Sequence, residues 1–284
     1  VTSELTGDLQ GVLIEAVRPT GWGIVVLGGS SGRVDVARAQ VFADAGVTAL
    51  AMRWFGGEGQ SPGICEIPLE SFAPATRKLS DLGCARIAYI GTSKGAEAAL
   101  LVAAHDPRID AVIALSPSSV VWAQTGPGRD GQEWPLRSSW TLAGRPLPFV
   151  PYDVAWWLEQ AHEPPIRFRP YHERSLATFA AEAAAAAIPV ERSRARIILV
   201  AGESDALWQS DMFAQQIAAR LKAHGRDATL VTHPEAGHRV VLPGEPLTER
   251  PAARDWGGTD GADSALGKEA WKAIEQVLEI APRD

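Results

Sequence analysis

Short runs rich in Val, Ile and Leu alternate with longer helix-patterned stretches along most of this chain, and that alternation limits its fold more than any other feature. Brief apolar runs bounded by glycine and polar turns are strands buried on both faces, and crossover helices between them make neighbouring strands parallel. Residues 23–27 form the first run and end in Gly28-Gly29-Ser30-Ser31-Gly32, after which residues 36–45 fit a helix. Residues 47–53 are the next strand. Residues 69–82 are helical by the apolar spacing of Phe72, Leu79 and Leu82, and Gly83 supplies the stop. Residues 85–90 are a strand leading into a helix over 95–105, followed by a strand over 110–116. The pattern returns with a strand at 195–202, a helix at 211–223 and a strand at 228–232. A last helix over 264–280 carries Leu266, Ala270, Ile274, Val277 and Leu278 on one face. The expected class is α/β, a mostly parallel central sheet flanked by helices.

Between about residues 119 and 193 the alternation stops, and Pro, Gly and Trp punctuate the sequence. The expected organisation is therefore a core made of 1–118 and 194–284, interrupted by a lid-like insertion at 119–193, with the whole forming one domain. The insertion holds five of the ten tryptophans, Trp122, Trp134, Trp140, Trp156 and Trp157, and an alanine-rich helix over 176–187. An aromatic-rich connection of this length can cover an apolar binding site. Tryptophans also build the core that such a subdomain needs, and that role competes at every one of them. Trp122, Trp156 and Trp157, with Trp208 from the core, are the candidate pocket residues.

Several function classes fall away on simpler grounds. With 46% hydrophobic and 21% charged residues the composition is that of an ordinary globule, and a net charge of −7 argues against a nucleic-acid-binding surface. No apolar run reaches the roughly 18 residues that span a bilayer, and residues 1–10 lack the layout of a signal peptide, so a cytoplasmic protein is expected. Cys65 and Cys84 have no metal-type spacing and are expected as buried thiols. No metal and no cofactor is anticipated, and oligomeric state is not readable.

Chemistry enters at Gly91-Thr92-Ser93-Lys94-Gly95, which lies where a strand meets a helix. A Gly-x-Ser-x-Gly at such a junction turns sharply, lifts the serine hydroxyl above the sheet and aims a helix N-terminus at it. A serine hydroxyl needs a base to take its proton, and the base needs an orienting group. Asp205 and His238 each follow a strand, and the order Ser93, Asp205, His238 is that of α/β-hydrolases. Among six histidines His238 is preferred because it follows Gly237 in a loop free to turn inward, whereas His233 is held beside Pro234. Glu203 and Asp211 are the alternatives to Asp205, whose competing role is a helix N-cap. The oxyanion donors expected are the backbone of Lys94 and, from the glycine-rich loop after the first buried strand, Ser30 or Gly29.

The segment Gly91-Thr92-Ser93-Lys94-Gly95-Ala96-Glu97 resembles the Ser-Lys-Gly-Ala-Glu elbow of the catalytic domain shared by acyl-CoA thioesterases and bile acid-CoA:amino acid N-acyltransferases. Similar too are Ile188-Pro189-Val190-Glu191, Ala201-Gly202-Glu203-Ser204-Asp205-Ala206-Leu207-Trp208 and Glu235-Ala236-Gly237-His238. The resemblance spans roughly residues 20 to 280. Animal members of that family place a β-sandwich ahead of the catalytic domain; only about twenty residues precede the first buried strand here, so that sandwich is not expected. Amino-acid-conjugating members carry Cys at the nucleophile, whereas hydrolytic members carry Ser as at Ser93.

The resemblance thus implies a serine thioesterase acting through an acyl-enzyme on a small-molecule acyl thioester, either acyl-CoA or a chain held on an acyl-carrier protein. Arg33, Arg53 and Lys94 lie near the expected site loops as candidate phosphate contacts, against the competing role of solvated surface. The same triad would also serve an acyltransferase or cyclase, or a carboxylester, lactone or amide hydrolase, and a non-catalytic binding protein of the same fold stands as a third class. Acyl chain length is not legible.

Overall fold

The computed structural model describes residues 1–281. Its strands are β1 (Thr2–Leu5), β2 (Gln10–Ile14), β3 (Trp22–Leu27), β4 (Thr48–Arg53), β5 (Ile67–Pro68), β6 (Arg86–Thr92), β7 (Ile109–Leu115), β8 (Trp140–Leu142), β9 (Arg145–Pro146), β10 (Arg196–Gly202) and β11 (Thr229–His233). The helices are α1 (Val36–Asp44), α2 (Ala73–Asp81), α3 (Lys94–His105), α4 (Val154–Leu158), α5 (Arg169–Thr178), α6 (Ala180–Ala185), α7 (Ser210–Ala223) and α8 (Asp260–Leu278).

Eight strands form one sheet in the order β1-β2-β4-β3-β6-β7-β10-β11. From β4 to β11 every pairing is parallel, and β1 and β2 add an antiparallel edge. Side chains along a strand alternate between faces, and here both faces are buried. Val25 and Leu27, Ile87 and Tyr89, and Leu199 and Ala201 pack on the layer of α2, α3 and α7. Ile24 and Val26, Ala88 and Ile90, and Ile198 and Val200 pack on α1 and α8. Each fully buried Val, Ile or Leu side chain stabilises by about 1.5–3 kcal/mol relative to exposure, so these central strands are held from both faces. The strand ends at Leu27, Thr92, Leu115 and Gly202 consequently fall along one edge, where the site is built.

The expected core elements are present with shifts of a few residues, and α8 begins at Asp260, capped by the Thr259 hydroxyl on the Ala262 N–H. The β1–β2 hairpin was not expected: β1 alternates between exposed and half-buried residues, and β2 offers only the short apolar stretch Val12-Leu13-Ile14. Residues 119–193 give no strand to the large sheet; β8 and β9 join β5 in a separate three-stranded one. The expected helix over 176–187 is corrected to α5 and α6, which meet at Phe179 with φ −112° and ψ 47°. Cys65 is buried as expected, whereas Cys84 is only half-buried. Among the described residues no helix is long and apolar enough to cross a membrane.

Candidate active site

Ser93 sits between β6 and α3 with φ 57° and ψ −119°. A non-glycine residue in such a region stores on the order of 1–3 kcal/mol of strain, and it persists because the surroundings hold it. The Ser93 N–H donates to Leu115 O at 2.9 Å, and Ser93 O accepts from Ala96 and Glu97 in the first turn of α3. The flanking glycines are required by close approach. A Cβ on Gly91 would lie 2.0 Å from Gly95 O, and one on Gly95 would lie 2.5 Å from Gly28 O. Lys94 is the first residue of α3, so its N–H has no acceptor one turn earlier within the helix. Gly29 runs beside it: its added Cβ would meet Thr92 O at 3.3 Å and Ser93 Cβ at 3.6 Å.

Asp205 follows β10 and is 1% exposed. Its Oδ1 accepts from the N–H groups of Leu207 at 2.8 Å and Trp208 at 3.2 Å, leaving Oδ2 for His238 Nδ1 at 2.8 Å. The N-cap-like bonds and the bond to histidine are thus made by different oxygens of one carboxylate. Since a carboxylate only accepts, Nδ1 carries the proton and Nε2 is left as an acceptor. The His238 backbone is fixed from two sides, its N–H donating to Trp256 O at 2.8 Å and its carbonyl accepting from Ser116 Oγ at 2.8 Å. Ser93 and His238 line two cavities in common, of about 450 and 230 Å³. Among the described residues no hydrogen bond joins them, and the Ser93 hydroxyl is unengaged.

Two buried ion pairs brace these loops. Arg38 of α1 donates from Nη1 to Thr92 Oγ1 at 2.6 Å, from Nη2 to Val240 O at 3.1 Å, and to both carboxylate oxygens of Glu245. Burial works against its charge, and Glu245 offsets that and holds the guanidinium protonated. One side chain therefore ties α1, the residue before Ser93 and the segment after His238. The second pair is Lys94 with Glu97, at 2.7 Å. Lys94 Nζ also donates to Ser139 Oγ at 2.9 Å, and Glu97 Oε1 accepts from Trp140 Nε1 at 2.7 Å and the Trp122 N–H at 3.1 Å. The elbow helix is thereby pinned to the insertion. Burial pushes the Glu97 carboxyl up and the Lys94 ammonium down, each opposed by the other's charge.

The candidate residues separate cleanly. Ser30, Ser93, Lys94, Trp208 and His238 line the 230 Å³ cavity together, while Gly29 lines the 450 Å³ one with Ser30 and Ser93. Trp208 donates from Nε1 to Ser116 O at 3.2 Å. Trp122 does not line either cavity; it is fully buried and stacks behind Tyr152 at 5.6 Å. Trp156 stands half-buried in α4, and Trp157 stacks on Tyr171 at 4.5 Å and Phe168 at 5.3 Å, one layer behind the wall. The core-building role of tryptophan prevails at Trp122, and neither Trp156 nor Trp157 lines a cavity with Ser93. Arg33 is exposed on the larger cavity, Arg53 bonds Gly32 O at 3.3 Å, and the Lys94 ammonium is spent on Glu97.

Other wall residues had no sequence signal of their own. Tyr152, Phe168, Tyr171 and His172 line the smaller cavity, and Arg254 borders both. Pro170 in the first turn of α5 is the mark that could have placed Tyr171 and His172 on a helix. Burial pushes the His172 imidazole down to about 4, so it is neutral near pH 7. Residues 239–258 have no regular element, yet they close over the site: Ile166 of the insertion exchanges backbone bonds with Ala253 O and the Asp255 N–H, both at 3.0 Å.

Solved structures of α/β hydrolases share this fold. A puromycin-hydrolysing peptidase of Mycobacterium tuberculosis superposes with a TM-score of 0.56 at 13% identity, covering 100% of this chain and 40% of that one. In sequence the chain is 26% identical over 276 residues to acyl-coenzyme A amino acid N-acyltransferase 2 of Rattus norvegicus, covering 90% of this chain and 59% of the relative. It is 24% identical over 263 residues to mitochondrial acyl-coenzyme A thioesterase 2 of Mus musculus, covering 89% of this chain and 54% of the relative. The chain thus spans little more than half the length of these curated relatives. A family model described as BAAT / Acyl-CoA thioester hydrolase C terminal matches residues 67–281, and the chain belongs to that family.

Proposed function

We propose that this protein is a serine hydrolase cleaving acyl thioesters, carried by CoA or by an acyl-carrier protein, through an acyl-enzyme on Ser93. The observation that carries this reading is the 2.8 Å bond from His238 Nδ1 to Asp205 Oδ2, which leaves His238 Nε2 as a base in a cavity also lined by Ser93. The thioesterase and N-acyltransferase names of the relatives support the substrate class.

In the first step Ser93 Oγ bonds to the thioester carbon as His238 Nε2 takes its proton. The oxyanion is met by the N–H of Lys94 and by a second N–H from Ser30 or Gly29. The C–S bond then breaks, and the proton on His238 passes to the departing thiol. Water enters, gives a proton to His238 and adds to the acyl carbon; the C–Oγ bond breaks, the proton returns to Ser93, and a carboxylic acid leaves. Asp205 holds the imidazole in the required tautomer throughout.

The test is thiol release from a panel of acyl-CoA substrates, combined with intact-protein mass spectrometry. Thiol release, together with an added acyl mass on Ser93, supports the reading. An acyl mass that passes to an amine or internal hydroxyl instead of water makes the enzyme a transferase or cyclase. Absence of thiol release from every acyl-CoA and acyl-pantetheine removes thioesters as the substrate class.

A further inference from the structure

The two cavities that share Ser93 differ in chemistry. The 230 Å³ cavity is walled by the rings of Tyr152, Phe168, Tyr171, His172 and Trp208. The 450 Å³ cavity is charged: Arg33, Arg38, Arg239 and Arg254 line it against Asp35, Glu245 and Glu249. An acyl thioester has two unlike ends, an acyl group on one side of the reacting carbon and a polar pantetheine arm leading to phosphates on the other. Four arginines line the charged cavity, and of these only Arg254 also borders the aromatic one.

The aromatic cavity has a closed floor. Tyr152 lies flat on Trp122 at 5.6 Å and 9°, and His172 meets Trp122 edge-on at 4.8 Å. Trp122 is 0% exposed and fixed by its bonds to Ser118 Oγ at 3.0 Å and Glu97 Oε1 at 3.1 Å. A chain lengthening past Tyr152 would have to break this stack. Beyond α5 there is a larger hollow of about 820 Å³ lined by Leu176, Met212 and Phe213, and it shares no lining residue with the aromatic cavity. At about 230 Å³ the aromatic cavity is less than a third of that hollow's volume.

We infer that the aromatic cavity receives the acyl group and limits it to a compact one, an aryl or short-chain acyl group, while the thiol arm lies in the charged cavity. This rests on the thioester reading above. Tyr152 and Tyr171 stack on each other at 5.4 Å and 27°, which braces the wall that sets this limit.

The test compares kcat/KM for benzoyl-CoA, hexanoyl-CoA and palmitoyl-CoA with the intact chain. The first two are expected to exceed palmitoyl-CoA by about 100-fold, the scale of loss when a reacting group is held out of place. Tyr152→Ala is expected to narrow that gap by opening the floor, and Tyr171→Ala is the second variant should the first misfold. Palmitoyl-CoA cleaved as well as hexanoyl-CoA, or a gap unchanged in a folded variant, overturns the inference. A parallel series with 4-nitrophenyl hexanoate and palmitate separates the two failures. Size discrimination on these esters without any thioester cleavage keeps the acyl limit and removes the thioester reading, whereas thioester cleavage without size discrimination does the reverse.

Discussion

Lys94 Nζ lies 2.7 Å from Glu97 Oε2 in the first turn of the elbow helix, and the two side chains are only 4% and 0% exposed. Glu97 also accepts from Trp122 and Trp140, so removing it leaves a buried ammonium and two buried N–H groups without their acceptor. Breaking a buried pair in this way costs about 3–5 kcal/mol. Glu97→Ala should therefore lower the urea midpoint sharply, and Lys94→Met combined with Glu97→Leu should recover part of the loss. Equal stability of Glu97→Ala and the parent chain would show that the pair does not hold the insertion.

Arg38 reaches Thr92 on one side of Ser93 and Val240 two residues past His238. Although Arg38 lines the charged cavity, its Nε, Nη1 and Nη2 are engaged by Glu245, Thr92 and Val240, so its loss should disturb geometry rather than substrate contact. Arg38→Met is expected to lower kcat by about 100-fold, as for a reacting group misplaced by about 1 Å, with KM changed far less. Steady-state kinetics distinguish this from a binding role, in which KM would carry the loss, and circular dichroism verifies the fold.

His172 bears on acid stability. In the unfolded chain it titrates near the ordinary value of 6.5, while burial holds the folded-state value at about 4. Between those values the unfolded chain binds a proton that the native ring refuses, so this residue's contribution is fully present above pH 6.5 and is lost as pH falls toward 4. Thermal melts across that window should show the parent chain losing stability faster than His172→Gln. Parallel melting curves would contradict the assignment.

At Gly91 an added Cβ would meet the backbone of Gly95 at 2.0 Å, and backbone cannot swing aside. Gly91→Ala should destabilise by about 1–3 kcal/mol or more, the cost of overpacking, and should abolish reaction of Ser93 with a fluorophosphonate probe before it unfolds the domain. A fully reactive Gly91→Ala would mean that the elbow is not held as described.

How much of this was readable in the sequence depended on burial. The strands carrying Leu27, Thr92, Leu115 and Gly202 are buried on both faces, so their apolar runs stand out, and Ser93 and Asp205 follow from where those runs end; His238 follows β11, a mostly exposed edge strand. In the β1–β2 hairpin β1 has one exposed face and β2 only a short apolar stretch, so neither stood out. Phe179 breaks a helix inside an alanine-rich stretch whose composition favours continuity. The cavity wall was the least legible part. Trp122 and Tyr152 stack on each other, but which ring faces the cavity and which lies behind it is decided by tertiary packing. Arg38 and Glu245 are far apart in sequence, and nothing local marks them as partners.

The central claim is that Ser93 takes the acyl group with His238 as its base and Asp205 as the orienting carboxylate. Rapid-quench mass spectrometry of the intact chain with hexanoyl-CoA tests it most directly, run beside Ser93→Ala, His238→Ala and Asp205→Asn. The parent should show a transient hexanoyl adduct mapping to Ser93, Ser93→Ala none, and the two partner variants acylation slowed by about 10⁴-fold or more, the scale of triad removal. Steady turnover by Ser93→Ala, or an adduct mapping to another residue, would contradict it.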